Sequence, residues 1–234
     1  MVAGLLGSSG VAPRHAQPRP PEEVVTYESS GTTVHAIQFE PSGPARAGVV
    51  ILHGAGGLQR EFVGLSALAG RLAAAGYAGL VPNYFEAGAD DGVRRPQRME
   101  RWRRAASDAV EVLRSRRLRV GLWGVSLGGY VAVDTALGQG CEAESAVGVV
   151  TGTDVYPPRS PRHRRPVLLV YGQRDDHVRP SSTLAWADQL REAQVPTTVR
   201  RISEAGHVFD QKQWTEMMDL VVTHFNETLP EMQA

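Results

Sequence analysis

Five short apolar runs constrain this chain more than any other feature. They are "AGVVILHG" (47–54), "YAGLVPNYF" (77–85), "LRVGLWGVS" (118–126), "SAVGVVTG" (145–152) and "RPVLLVYG" (165–172). None alternates polar with apolar residues, as a strand with one wet face would, so each must be covered on both faces. The stretches between and after them supply the cover. Residues 60–76 carry apolar side chains at helical spacing and stop at Gly76, 97–116 read as an amphipathic helix with an arginine-rich outer face, and 127–139, 181–194 and 211–228 also read as helices. "TTVRRISEAG" reads as a last strand. Strand–helix alternation of this kind predicts an α/β fold, a doubly wound and mainly parallel sheet with helices on both faces. Ahead of it, "VVTYES" and "TVHAIQFE" are split by Ser30-Gly31, which predicts an opening hairpin.

The chain of 234 residues suits one domain, expected over 22–234. Prolines at 13, 18, 20 and 21 make residues 1–21 a flexible arm by composition, and no basic residue precedes its short apolar run as a secretory leader requires. No stretch reaches the roughly 18 apolar residues of a membrane span. The 25 basic and 25 acidic residues cancel, which argues against nucleic acid or an anionic membrane as partner. Cys141 is the single cysteine, so no intrachain disulfide forms and a cytoplasmic protein is expected, as a monomer or homodimer.

The third run ends in "GVSLG". Gly124-Val125-Ser126-Leu127-Gly128 fits G-x-S-x-G, a turn in which strand and helix approach so closely that residues two either side of the serine must be small. A serine hydroxyl is a weak nucleophile at neutral pH and needs a base, a group to orient that base, and donors for an oxyanion. After Ser126 the histidines are His163, His177, His207 and His224. His207 in "SEAGHVF" follows the last strand, where a short loop can swing an imidazole over the sheet. His163 lies in a basic loop and His224 inside a helix. For the acid, "YGQRDDHV" places Asp175 and Asp176 just past a strand, and open parallel sheets build sites at the carboxyl ends of their strands. Asp175 follows the tight turn and faces inward, whereas Asp176 points outward or caps the next segment. A metal held by Asp175, Asp176 and His177 lacks a second ligand cluster, so no metal is expected.

The oxyanion donors are expected at the backbone N–H of Leu127, at a helix N-terminus, and of Ala55 in His53-Gly54-Ala55-Gly56-Gly57. Gly54 and Gly56 let backbone approach substrate, and Tyr84 of "LVPNYF" joins them as a substrate contact. His53 is a structural hydrogen-bonding residue. The loop "TDVYPPRSPRHRRP" follows a strand whose carboxyl end lies on the site's face, so Arg162 and Arg164 are expected near the mouth; such a run reads first as ordinary solvated surface, and the sharper alternative is that it attracts an anionic substrate, a free carboxylate or the phosphate of a carrier-bound thioester.

With these motifs in place, "VVILHGAGGL", "LVPNYF", "GVSLGGY", "YGQRDDHV" and "EAGHVF" over about residues 22–228 resemble the dienelactone hydrolase family of α/β-hydrolases. The resemblance implies an α/β-hydrolase fold without a large cap, a covalent acyl-enzyme, no cofactor, and a small ester, lactone or thioester substrate. Founding members of that family use a cysteine at the elbow and a glutamate where this chain has Gly54. Ser126 therefore implies a more general esterase, lactonase or thioesterase. A triad enzyme for elimination, cyclisation or acyl transfer, and a binding protein on the hydrolase fold, are the alternatives.

Overall fold

A computed structural model describes residues 22–89 and 95–231. The expected N-terminal arm lies outside the described residues. Eight strands form one sheet in the order β1-β2-β4-β3-β5-β6-β7-β8. β1 (Glu22–Ser29) and β2 (Thr32–Phe39) make the opening hairpin, in full antiparallel register from Glu22 opposite Phe39 to Ser29 opposite Thr32. Ser30 and Gly31 both take positive φ, 52° and 76°, as the two central residues of a tight hairpin turn must for the strands to keep their twist. β2 also runs antiparallel to β4 (Tyr77–Pro82), and every later pairing is parallel.

The apolar runs become β3 (Ala47–Leu52), β4, β5 (Val120–Val125), β6 (Ser145–Val149) and β7 (Val167–Gly172), nearly all of whose residues are buried. β8 (Thr197–Ile202) is the edge strand and its exposed residues are polar. Successive side chains of each strand enter opposite cores. On one face Val49, Ile51 and Val147 pack with Leu65, Leu68 and Leu72 of α1 (Leu58–Ala74) and with Met217, Val221 and Phe225 of α5 (Gln211–Thr228). On the other, Val50, Leu52 and Leu122 pack with Ala109 and Leu113 of α2 (Arg95–Arg114), Val131 of α3 (Leu127–Leu137) and Trp186 of α4 (Pro180–Glu192). No helix among the described residues is long and apolar enough to cross a membrane.

Two features of this order position the site. From β3 the chain crosses to β4 on one side and then to β5 on the other, so the strand order reverses between β3 and β5 and opens a crevice at their carboxyl ends. β6 and β7 are parallel neighbours joined by a loop with no helix, which must itself run the length of the sheet. Just past β4 the chain turns into a single 3₁₀ turn (Tyr84–Gly88), so Tyr84 is not on a strand.

Candidate active site

Ser126 links β5 to α3 with φ 53° and ψ −119°, a conformation that side chains rarely adopt and that only a surrounding structure can hold. Its N–H donates to the Val149 carbonyl at 2.8 Å, and its carbonyl accepts from the Tyr130 N–H at 3.1 Å. The flanking glycines are demanded by contact. A Cβ on Gly124 would meet the carbonyl of Gly128, and one on Gly128 would meet the carbonyls of His53 and Leu52. The helix start is thereby pressed against the ends of both central strands, and the hydroxyl stands at the top of the crevice.

The loops after β7 and β8 deliver the other two side chains already joined. His207 Nδ1 lies 2.9 Å from Asp175 Oδ2, and His207 Nε2 lies 3.2 Å from Ser126 Oγ. The Asp175 side chain is fully buried, while a fifth of the imidazole is exposed. Asp175 Oδ1 accepts the backbone N–H groups of His177 and Val178, both at 2.9 Å, which fixes the carboxylate in its own turn. A carboxylate opposite Nδ1 holds the ring proton there, leaving Nε2 with a lone pair facing the serine. The two loops are stitched backbone to backbone: Gln173 N–H donates to Ile202 at 3.0 Å and Arg174 N–H to Ala205 at 2.7 Å. Gly172 allows this, because a Cβ there would run into the carbonyls of Gly206 and Ala205. His177 stacks on the outer face of His207, ring centroids 5.1 Å apart and 19° from parallel. Asp176 is 84% exposed and pairs with His177 Nδ1 at 2.8 Å. That hydrogen bond holds the Asp176 carboxyl below its usual value. Ligand atoms of Asp175, Asp176 and His177 lie within 4.8 Å of one another, but the Asp175 carboxylate is taken up by His207 and two backbone donors.

Across the crevice, the loop after β3 presents the Ala55 N–H, and α3 begins with the Leu127 N–H. Neither has an acceptor among the described residues, as the first donors of a helix and an open loop allow. The loop is held by Glu61, in the first turn of α1. Its carboxylate accepts the Gly54 N–H at 2.6 Å and the Gly56 N–H at 3.1 Å. A Cβ on Gly54 or Gly56 would fall within 3 Å of a Glu61 oxygen. Gly54 is therefore buried with its N–H and carbonyl engaged, while Ala55 and Gly56 line the cleft.

Tyr84 departs from expectation. It is fully buried and does not line the cleft; its hydroxyl donates to the His53 carbonyl at 2.7 Å and its ring stacks on His53 at 4.3 Å. Burial keeps the phenol well above its usual pKa and His53 below its own, so both act as neutral supports of the β3 end. Arg162 and Arg164 also depart from expectation. The backbone N–H groups of Arg162 and His163 donate to the Leu137 carbonyl at 2.7 and 3.1 Å, at the far end of α3, about 16 Å along the helix from Ser126. Because this loop replaces a crossover helix, only its first residues stay near the carboxyl ends. By Arg165, which donates to the Cys141 carbonyl at 2.7 Å, it has reached the amino ends of the strands. At that end lies a second serine–histidine contact, Ser145 Oγ with His224 Nε2 at 2.8 Å, buried and with no carboxylate partner among the described residues. Burial pushes the His224 pKa down to about 4.

A cleft of about 600 Å³ opens over Ser126 and His207. Its walls are mostly apolar: Val63, Gly64 and Ala67 from α1, and Val208, Phe209 and Trp214 from the His207 loop and α5. Asp210 and Gln213 cap α5 reciprocally, at 2.8 and 3.0 Å, which fixes the start of that helix against the cleft. Glu61 escapes the sequence reading, and so does the stacking of His177 on His207. The only signal for Glu61 is an acidic residue in the first turn after a glycine loop, and nothing in the sequence signals that stacking.

The sheet with its reversal between β3 and β5, and a serine elbow, imidazole and carboxylate at strand ends, define an α/β-hydrolase. The dienelactone hydrolase pattern matches residues 34–224. This chain belongs to the dienelactone hydrolase family and is a hydrolase. Similar solved structures include a dienelactone hydrolase from Anabaena variabilis, with a TM-score of 0.73 and 22% identity over 90% of this chain and 99% of that one. An α/β serine hydrolase homologue from Coxiella burnetii has a TM-score of 0.70 and 18% identity, covering 86% and 96%. An esterase from Pyrobaculum calidifontis has a TM-score of 0.74 and 15% identity, covering 90% and 86%. At such identities the likeness is one of fold. No curated protein matches the sequence.

Proposed function

We propose that this hydrolase cleaves small esters, lactones or thioesters through an acyl-enzyme on Ser126. His207 Nε2 takes the hydroxyl proton as Oγ bonds to the carbonyl carbon, and the Ala55 and Leu127 N–H groups hold the charge that develops on the carbonyl oxygen. The tetrahedral centre collapses as its bond to the leaving group breaks, and His207 returns the proton to that group. Water then attacks the acyl-enzyme, giving its proton to His207, and the acid leaves as Ser126 recovers its hydrogen. Asp175 keeps the imidazole in the tautomer both steps need. One observation carries the reading: the unbroken chain from Ser126 Oγ to His207 Nε2 at 3.2 Å and from Nδ1 to buried Asp175 at 2.9 Å, beside two backbone donors that no acceptor among the described residues takes.

The test is a fluorophosphonate probe with intact-mass detection, run beside turnover of p-nitrophenyl acetate. One adduct is expected on the parent protein and none on Ser126→Ala, which also loses turnover. Stoichiometric labelling of Ser126→Ala, or its full turnover, overturns the proposal.

A further inference from the structure

The cleft has a direction. It extends from Ser126 and His207 into the gap between α1 and the start of α5; no residue of the 3₁₀ turn lines it, and of the loop that joins β6 to β7 only the first residue, Val150, does. Its α1 wall runs from Arg60 to Ala67, eight residues spanning about 10 Å of helix. Val63 on that wall is 80% exposed, and Val208 on the other is 85% exposed. Large side chains of this kind standing in water on both lips of a catalytic cleft gain if a ligand covers them. Between the lips the floor is low because residue 64 is glycine: a Cβ there would already touch Trp214 Cζ2 at 3.4 Å.

We infer that this groove receives a linear apolar substituent of the substrate, so that the enzyme prefers esters with a medium-length alkyl chain over acetate-sized ones. The inference rests on the reading of Ser126 and His207 as the reacting pair, since their position at the base of the groove makes its occupant part of the substrate. About 10 Å accommodates about eight carbon–carbon bonds of ~1.5 Å set at tetrahedral angles. Gly64 and Trp214 set the limit on what passes between the helices. Each methylene removed from water contributes ~0.8 kcal/mol, which is about a fourfold gain in kcat/KM per carbon. The gain should stop when the groove is full.

The experiment compares kcat/KM along two series: p-nitrophenyl esters from acetate to dodecanoate, and acetate esters of alcohols from methanol to dodecanol. One series should rise by about fourfold per carbon and level off near eight carbons; which one does shows whether the acyl or the alcohol side lies in the groove. Gly64→Leu fills the floor against Trp214. Leucine favours a helix interior over glycine, which offsets part of the cost of crowding Trp214, and a melting curve on the same preparation, with Gly64→Ala as the smaller companion variant, shows that the fold is kept. Its octanoate-to-acetate ratio, or the alcohol equivalent, should fall by more than tenfold. Profiles flat in both series while acetate is turned over overturn the inference and leave the hydrolase reading standing. An unchanged ratio in Gly64→Leu overturns it too. No turnover of any ester, lactone or thioester by a protein whose Ser126 takes the fluorophosphonate overturns both.

Discussion

Asp175→Asn tests the site most sharply, because the structure dictates how the new amide must sit. Asp175 Oδ1 accepts two backbone N–H groups at 2.9 Å, and Oδ2 faces His207 Nδ1 at 2.9 Å. An asparagine carbonyl must take the first position, since an NH₂ there would confront two donors and forfeit two hydrogen bonds of about 1 kcal/mol each. That preference of about 2 kcal/mol favours one amide orientation by roughly 30 to 1. The NH₂ then takes the closer position to Nδ1, while the retained oxygen stands 3.2 Å from it; where the NH₂ contact prevails, the ring proton moves to Nε2 and the imidazole can no longer accept from Ser126. The turn survives because the asparagine oxygen keeps both backbone bonds, so the variant should fold normally. Turnover should fall by at least about 30-fold, the flipped fraction setting that floor, and by up to about 10⁴-fold if the wrong tautomer is fully imposed. Steady-state hydrolysis of p-nitrophenyl acetate with a melting curve on the same preparation measures both. Asp176→Asn, at an exposed side chain, is the control and should stay within about twofold. A loss below tenfold in a folded Asp175→Asn protein would falsify the tautomer argument.

Glu61→Gln replaces one of the two oxygens that hold the oxyanion loop with a group that cannot accept a glycine N–H. It should lower kcat by about 10²-fold, the cost of a misplaced oxyanion donor, with little change in KM, and weaken binding of an arylboronic acid in proportion; a rise in KM alone would show that the residue only shapes the cleft. His224 should make the fold acid-sensitive. Its pKa is about 4 when folded against 6.5 when unfolded, so below 6.5 the unfolded chain binds a proton that the native state refuses, and stability falls with pH until about 4. Between pH 7 and pH 5 that removes about 2 kcal/mol, so the stability advantage of the parent over His224→Gln in urea unfolding should shrink by that amount. An advantage equal at the two pH values would mean that His224 is not held neutral.

What could be read from sequence divides along a physical line. Strands buried on both faces have to be written as unbroken apolar runs, so β3 to β7 are visible residue by residue. The Ser30-Gly31 turn and the 211–228 helix are equally local. Ser126, Asp175 and His207 stand just after strands that the parallel sheet aligns, so their meeting follows from the alternation itself. Glu61 is different. It reaches back to Gly54 and Gly56 through the shape of a loop, and nothing in composition announces that path. Tyr84 sits beside a strand end, as a substrate contact would, but a 3₁₀ turn rotates it into the core. The arginines at 162 and 164 fail for a topological reason: a missing crossover helix takes that loop down the sheet to the other end.

The stitching of the two loops at Gly172 bears on how such a protein can be divided. Asp175 and His207 belong to a single piece made of β7, β8 and their loops, while Ser126, Ala55 and Leu127 belong to β3, β5 and α3. The only covalent tie between these two pieces is the loop from β6 to β7, whose residues Arg162 and Arg164 are exposed. On the proposed mechanism, cutting the chain there would leave the attacking hydroxyl and the anion donors on one fragment and the proton-handling pair on the other. Neither half alone could hydrolyse an ester. Their association would restore the 3.2 Å contact between Ser126 and His207, so the fold carries the layout of a split enzyme whose signal reports that two fused partners have met.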